Sequence, residues 1–579
     1  MNNVKKALVA ALASSALILA GCGSAGAPVD KSDDGKLMKV DVFDQRANYQ
    51  GMQKGWFAKI IKDKFNIELN IIAPNIAGGG DTLFDTRSAA GNLGDIIITS
   101  TGNGRLSKLV KSGLIADMTP YMDGMKWLKH NKASSDALAE IAGKKGIWGF
   151  AHQTAAGMDP RKPEAVEPDF SPYIRWDYYK EIGYPKIPNL DAFIDVLKKM
   201  QDRARQDTGK NNIYAISLFK DWDGAFMSNV QGMTGWYGYN PQGSAFALAD
   251  GTDKSTVLDK DGIYQKMLNF VHKAQMAGIV DPESSTQSWD NLGTKVQDGL
   301  VLMSIWNYLG KPRLNTKANM AKGVGFMIAP LEGMKAYATG FRPAGDVNYA
   351  IALGAKAKNK QRLVKFINWL YSPEGVNDIS QYTAGPKGLT WEMKDGQPVI
   401  TKFGRAVGDD SSKVKIPAEW GGGTWQEGSQ QLNFVPVTPA AINPETKQAY
   451  NPGLWPSELK RTNALLEDWR SHMENAKTDM DYLVKTNKII LQPGAPFTAP
   501  VENSKLTAQR SQINTAVVTN SWKAALSNSD SEFNKHIKDM IEKAQGMGFG
   551  EIKKADYAAI DAHTKVCDEV VKEYEKTHK

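Results

Sequence analysis

The hydrophobic pattern alternates between two periods along most of the chain. "LMKVDVF" (37–43) alternates apolar and polar residues and predicts a first strand. Met52, Trp56, Phe57, Ile60 and Ile61 then recur at helical spacing and predict a helix ending near Phe65. "NIELNIIA" and "GDIIITS" (94–100) read as second and third strands, with helix-favouring segments between them. Strand, helix and strand in this rhythm predict an α/β sheet with parallel strands.

A second unit follows Trp148 and Gly149. "NLDAFIDVLKKMQDRAR" puts Leu190, Phe193, Ile194, Leu197, Met200 and Ala204 on one helix face, with Asn189 as N-cap. "IYAISLF" (213–219) predicts a strand, "YQKMLNFVHKAQMAGIVDPE" a helix closing at Gly278, and "QDGLVLMSIWNYLG" a turn, a strand and a loop. "NYAIALG" and "NKQRLVKFINWLYSPEG" predict a strand and then a helix. From Thr401 to Pro456 the periodicity gives way to Gly, Pro and Trp, and a long irregular stretch in a compact protein is usually functional or disordered. Helices return from Ser457 to Lys579, and there is no internal repeat.

The N-terminus changes the picture. Residues Ala7–Ala20 are apolar and free of charge, but shorter than the roughly 20 residues a spanning helix requires. Lys5 and Lys6 precede them and small residues follow, the layout of a secretory signal. Leu19-Ala20-Gly21-Cys22 resembles the bacterial lipobox, which implies a signal over 1–21 and a lipidated Cys22 at the new N-terminus. The polar segment 22–36 then reads as a flexible tether spanning roughly 20 Å. The other cysteine, Cys567, has no partner and reads as a core residue, so neither a disulfide framework nor a cysteine metal cluster is expected. A formal charge of +8 with interspersed signs describes a solvated surface and points away from nucleic acid. The 15 Trp and 19 Tyr are more telling, a heavy aromatic load for a soluble body.

Five segments resemble, in order, the extracellular solute-binding lipoproteins of bacterial ABC sugar importers, in the subfamily of the alginate-binding proteins and the lipoproteins called LipO or LplA. They are "GNLGDIII" (91–98), where Gly94 replaces the usual proline, "LVKSGLIADMTPYM" (109–122), "YIRWDYYKEIGYPKIPNLDAFIDVLKKM" (173–200), "ALGAKAKNKQRLVKFINWLYSPEG", and "AQGMGFGEIKKADYAAID". The resemblance implies a two-lobed periplasmic-binding-protein-like α/β fold of type II with a helical C-terminal region. The lobes are expected at 37–155 with 328–400, and at 156–327 with 401–579. The ligand is held in the cleft between them and trapped by hinge closure. The resemblance further implies a monomeric sugar binder and not an enzyme. The large body and its extra aromatic loop point to an oligosaccharide, with a binder of peptides or other solutes, or a tethered polysaccharide-degrading enzyme, as the alternatives. It is expected on the outer face of the membrane of a Gram-positive cell, lipid-anchored and delivering its ligand to the permease subunits. No catalytic motif of the G-x-S-x-G, H-E-x-x-H or P-loop kind occurs.

Loop residues beside strand ends are the candidate contacts. Tryptophans in helical patterns (Trp56, Trp127, Trp369, Trp469, Trp522) read as core. Trp222 and Asp223 follow a strand, as do Trp306 and Asn307, while Trp236 and the pair Trp420 and Trp425 lie in glycine-rich stretches. Each of these rings either meets the ligand or braces its loop. Polar candidates are Gln45, Arg46, Asn48 and Tyr49 after the first strand, His152 and Gln153 near the hinge, and Arg342 and Asp346 before a returning strand. The alginate-binding relatives carry a calcium loop in the second lobe, and "QDTGKNNIY" (206–214) falls at a similar place, with Asp207 and Asn211 as candidate ligands. Calcium takes six or more oxygens, and a single acid with Lys210 beside it favours a plain turn, so no cofactor is expected.

Overall fold

The computed structural model describes residues 33–77 and 80–578. The signal, Cys22 and the tether up to residue 32 lie outside the described residues. The last tether residues are not free: Arg362 donates to the Asp33 carboxylate from Nε (2.9 Å) and to the Lys36 carbonyl from Nη1 (2.6 Å). The chain is therefore docked four residues earlier than its composition suggests.

The first lobe is built on a six-stranded sheet in the order Gly51–Met52, Ile67–Ile72, Met38–Asp44, Ile96–Ser100, Asp346–Leu353, Phe150–His152. Met38–Asp44 runs parallel to both its neighbours, as the strand and helix rhythm predicts. The returning strand Asp346–Leu353 is antiparallel to Ile96–Ser100 and Phe150–His152. The helix Gly55–Phe65 buries Trp56, Phe57, Ile60 and Ile61 against this sheet and ends at Asn66, whose left-handed backbone (φ 51°) stops it.

The second lobe centres on Phe170–Arg175, flanked on both sides by the antiparallel strands Met303–Trp306 and Phe326–Ile328. Its helix Leu190–Thr208 begins as predicted, with the Asn189 side chain accepting from the Ala192 N–H at 2.9 Å. "IYAISLF" does not form a ladder; Tyr214 and Ile216 make single bridges to Val301 and Val280. Asn307 opens a helix, Asn307–Leu314, and not a loop, since the chain turns sharply at the end of the preceding strand.

Two lobe boundaries differ from expectation. Ile416, Trp425, Leu432 and Phe434 from the irregular stretch 401–456 are buried in the core of the first lobe, with Trp56, Phe57 and Ile367. Without regular strands, the segment is held there by paired aromatics: Trp425 stacks on Trp56 at 4.5 Å and accepts the indole N–H of Trp56 on its carbonyl at 3.0 Å. Conversely, Ile328, Ala329, Leu331, Met334 and Ala336 pack with the second lobe, so the crossing back to the first lobe is completed at Asp346. The C-terminal helices Ser504–Ala525, Asp530–Gly546 and Phe549–Thr577 complete the second lobe.

Candidate functional site

Where the chain crosses between the lobes, a cleft of about 610 Å³ opens. It is lined from the first lobe by Tyr382 and Thr438, from the second by Asn307, Tyr308 and Trp469, and along the crossings by Gln153, Glu164, Asp169 and Arg342. Its volume lies within the range of small-ligand sites.

An aromatic platform stands at the edge of the cleft. Trp222 stacks on Trp289 with centroids 4.3 Å apart and 30° between planes. Trp306 meets both rings edge-on at 5.8 and 6.0 Å, and Tyr308 lies 6.3 Å from Trp222 and 6.4 Å from Trp306. Phe219 braces the group from below, at 4.9 Å from Trp222. The loop is pinned because the Asp221 carboxylate accepts from the Trp289 N–H at 2.7 Å. Trp222 remains 46% exposed, so an open indole face is presented to solvent. Trp306 is buried beneath it and acts as a brace.

Polar groups on the crossings form a buried ion-pair layer. Arg342 donates to Glu164 at 2.6 Å and to the Gln153 side-chain oxygen at 3.0 Å, with Asp346 at 3.7 Å. Burial raises the Glu164 carboxyl above its usual range, and the Arg342 charge opposes that rise. Asp169 is raised for the same reason, opposed by Arg342 and by a hydrogen bond from Asn307. Lys311 lies between Glu167, at 2.9 Å, and Asp479, whose carboxyl burial pushes up to about 6. The guanidinium of Arg342 and the ammonium of Lys311 are thus held by carboxylates of the protein itself.

The first lobe adds planar groups around its strand ends. The Arg46 guanidinium lies 4.4 Å over Tyr349 and donates from Nε to the Asn433 carbonyl at 3.1 Å. The Asn433 amide donates back to the Arg46 carbonyl at 2.7 Å and accepts from Gln381 at 3.1 Å. Beside Gln381, Tyr382 is held in left-handed backbone (φ 61°) and is 70% exposed. A bulky residue in that conformation costs on the order of 1–3 kcal/mol and marks an over-determined loop.

Several sequence candidates serve the scaffold instead. Trp236 is fully buried, edge-on to Phe193 and Phe270, because Gly232 and Gly235 let its turn press against Phe170. Trp425 is buried on Trp56, and the approach requires glycine: a Cβ at Gly428 would lie 2.6 Å from the Trp56 ring. Trp420 is half-buried and lines a different cavity, on the outside of the first lobe. Asp223 accepts from the Ser228 N–H at 2.9 Å and the Trp522 indole N–H at 2.6 Å, which commits both its oxygens. His152 is buried and accepts from the Val435 N–H at 3.1 Å, and burial holds its pKa down to about 2. The Gln45 side-chain oxygen accepts from Thr99, Ser100 and Arg105, and the Tyr49 hydroxyl donates to Met52. Asn48 is exposed.

Asp207 ends a helix 3.8 Å from Arg203, and Asn211 is exposed. Among the described residues no group of three or more His, Cys, Asp or Glu is placed to hold a metal. Sequence reasoning missed Trp289, Tyr308, Asp169, Glu164, Lys311 and Tyr382. Trp289 carries one local signal, a helix start capped by Ser288; the others become neighbours only through the lobe crossings.

No curated protein matches the chain. Among solved structures, the alginate-binding protein AlgQ2 without calcium ion superposes with a TM-score of 0.56 at 14% identity, covering 92% of this chain and 99% of that one. The Streptococcus pneumoniae substrate-binding protein FusA in complex with kestose gives 0.57 at 14% identity and the same coverages. A solute-binding protein of Bifidobacterium longum infantis associated with an HMO-binding ABC transporter gives 0.52 at 16%, covering 92% of this chain and 100% of that one. These likenesses establish the two-lobed fold. The family model for bacterial extracellular solute-binding proteins matches residues 50–377, more than half of the chain, and the protein belongs to that family.

Proposed function

We propose that this protein is the substrate-binding component of an ABC importer, which captures an oligosaccharide by closure of its two lobes. The observation that carries the reading is the exposed Trp222–Trp289 stack beside a cleft lined from both lobes. Sugar rings present apolar faces and a rim of hydroxyls. An open indole face covers the first, and planar amides and carboxyls satisfy the second. Trp222, Trp289, Tyr308, Asn307, Asp169, Gln153, Arg46 and Tyr382 are the contacts proposed; the kestose and HMO ligands named for structures of this fold agree in class. A ligand touching both lobes only in the closed state shifts the equilibrium toward closure, which is the signal a permease reads.

In this reading the protein is a monomeric binder without catalytic turnover, held by a lipid on Cys22 at the outer face of the membrane beside the permease. No helix among the described residues is long and apolar enough to cross a membrane. Calorimetric titration with a panel of mono- and oligosaccharides tests the reading, with an assay for released reducing ends run alongside. Stoichiometric binding that tightens with chain length supports it; turnover without binding, or no carbohydrate bound at all, refutes it.

A further inference from the structure

We propose that a groove on the outer face of the first lobe is a second binding site, for a small ligand bearing a primary ammonium group. The groove encloses about 540 Å³ and shares no lining residue with the inter-lobe cleft. Its walls are Ile60, Asp63 and Lys64 from the helix Gly55–Phe65, Glu374, Asn377 and Asp378 from the helix Pro373–Asp378, then Pro386, Lys387, Trp391, Trp420 and Glu445.

Two buried polar side chains of its lining have no hydrogen-bond partner in the protein. The Asn377 side-chain oxygen is enclosed and accepts no hydrogen bond. The Asp378 carboxyl, in a residue only 4% exposed, is met just by the charges of Glu374 and Lys64. Both are costly to bury unless something donates to them. The other charges facing the groove do not supply that donor. Lys64 is engaged by Glu374 at 2.8 Å, Asp63 by Lys59 at 2.6 Å, and the Lys387 ammonium lies 5.7 Å over the Trp391 ring. Glu445 is exposed at the rim.

The vacant acceptor of the groove is therefore the Asp378 carboxyl, in a groove that also holds the Trp420 indole. An ammonium brings three N–H donors and no acceptor of its own, and it is attracted to a tryptophan face. Burial, reinforced by Glu374, raises the Asp378 carboxyl well above the usual carboxylate range, and an ammonium ion seated beside it opposes that rise.

Titration calorimetry of the full chain tests this with two probes, putrescine and glucosamine, each run in phosphate at two pH values. The two arms separate a simple diamine from an amino sugar, and either one saturating the site supports the proposal. Putrescine affinity should be higher at the higher pH, as ionisation of a raised carboxyl requires. Asp378→Asn keeps the shape and removes the charge; it should weaken binding at least tenfold without lowering the melting temperature. Trp420→Ala should weaken binding several-fold, and Trp222→Ala, in the cleft, should leave it unchanged. No saturable heat with either amine at millimolar concentration overturns the proposal, as does binding indifferent to Asp378→Asn or abolished by Trp222→Ala. Equal binding of glucose would assign the groove to neutral hydroxyls and overturn it as well.

Discussion

Removing the Trp222 ring is the sharpest perturbation of the proposed site. The side chain is 46% exposed, which leaves on the order of 100 Å² of ring for a sugar to cover. At about 25 cal/mol per Å² that area contributes roughly 2–3 kcal/mol to binding. Trp222→Ala should therefore raise Kd roughly 30- to 150-fold, at about tenfold per 1.4 kcal/mol. The structural cost should be smaller. The lost stack with Trp289 is worth about 0.5–1.5 kcal/mol, and the ring is already half in water. Titration calorimetry gives Kd for the tightest oligosaccharide of the panel, and thermal unfolding reports the fold. Trp420→Ala, on the outer face of the first lobe, is the control and should leave that Kd unaltered. A Kd for Trp222→Ala within threefold of the parent would refute the platform as a sugar contact.

Two further outcomes follow from polar groups in the interior and a third from a helix cap. Glu164→Gln removes the nearer of the two carboxylates paired with Arg342, leaving Asp346 at 3.7 Å, and should cost about 1–3 kcal/mol in denaturant unfolding, where a neutral result would mean that water already serves the pair. Burial raises the Asp44 carboxyl to about 8, so the folded state binds its proton more tightly than the unfolded state, and this group loses stability as pH rises from about 4 to 8. Asp44→Asn keeps the oxygen that accepts from the Arg46 and Ala47 N–H groups, so its melting temperature should exceed the parent's by a margin growing over that window; a pH-independent difference would contradict the assignment. Asn189→Ala removes the cap of the helix Leu190–Thr208 and should cost about 1 kcal/mol, measured by chemical denaturation, with Kd unaffected.

The candidate site was legible in outline and wrong in several particulars, for reasons specific residues make plain. "FKDWDGAF" singles out Trp222, which is exposed but follows a segment with only single bridges and no strand, and Asp223 beside it is consumed by Ser228 and Trp522, the latter 299 residues away. The glycines of "EWGGGTWQEG" suggest a loop open to ligand. Instead, the glycine at 428 allows close approach to Trp56 and buries Trp425. Asp169, Glu164 and Lys311 lie in stretches with no periodic or motif signal, and their partners come from Arg342, Asn307 and Asp479.

The sequence alone determined what depends on near neighbours along the chain. The parallel strands about Met38–Asp44, the capped helix at Asn189 and the order of the five family segments all follow from spacing and local hydrogen bonding. The tertiary structure decided which lobe holds residues 401–456, which tryptophans face solvent, and which polar groups meet across the crossings. Burial and ion pairing are set by contacts between residues hundreds of positions apart. Tryptophan has the same composition signature whether its ring is stacked inside the core, as at 425, or offered at the cleft, as at 222.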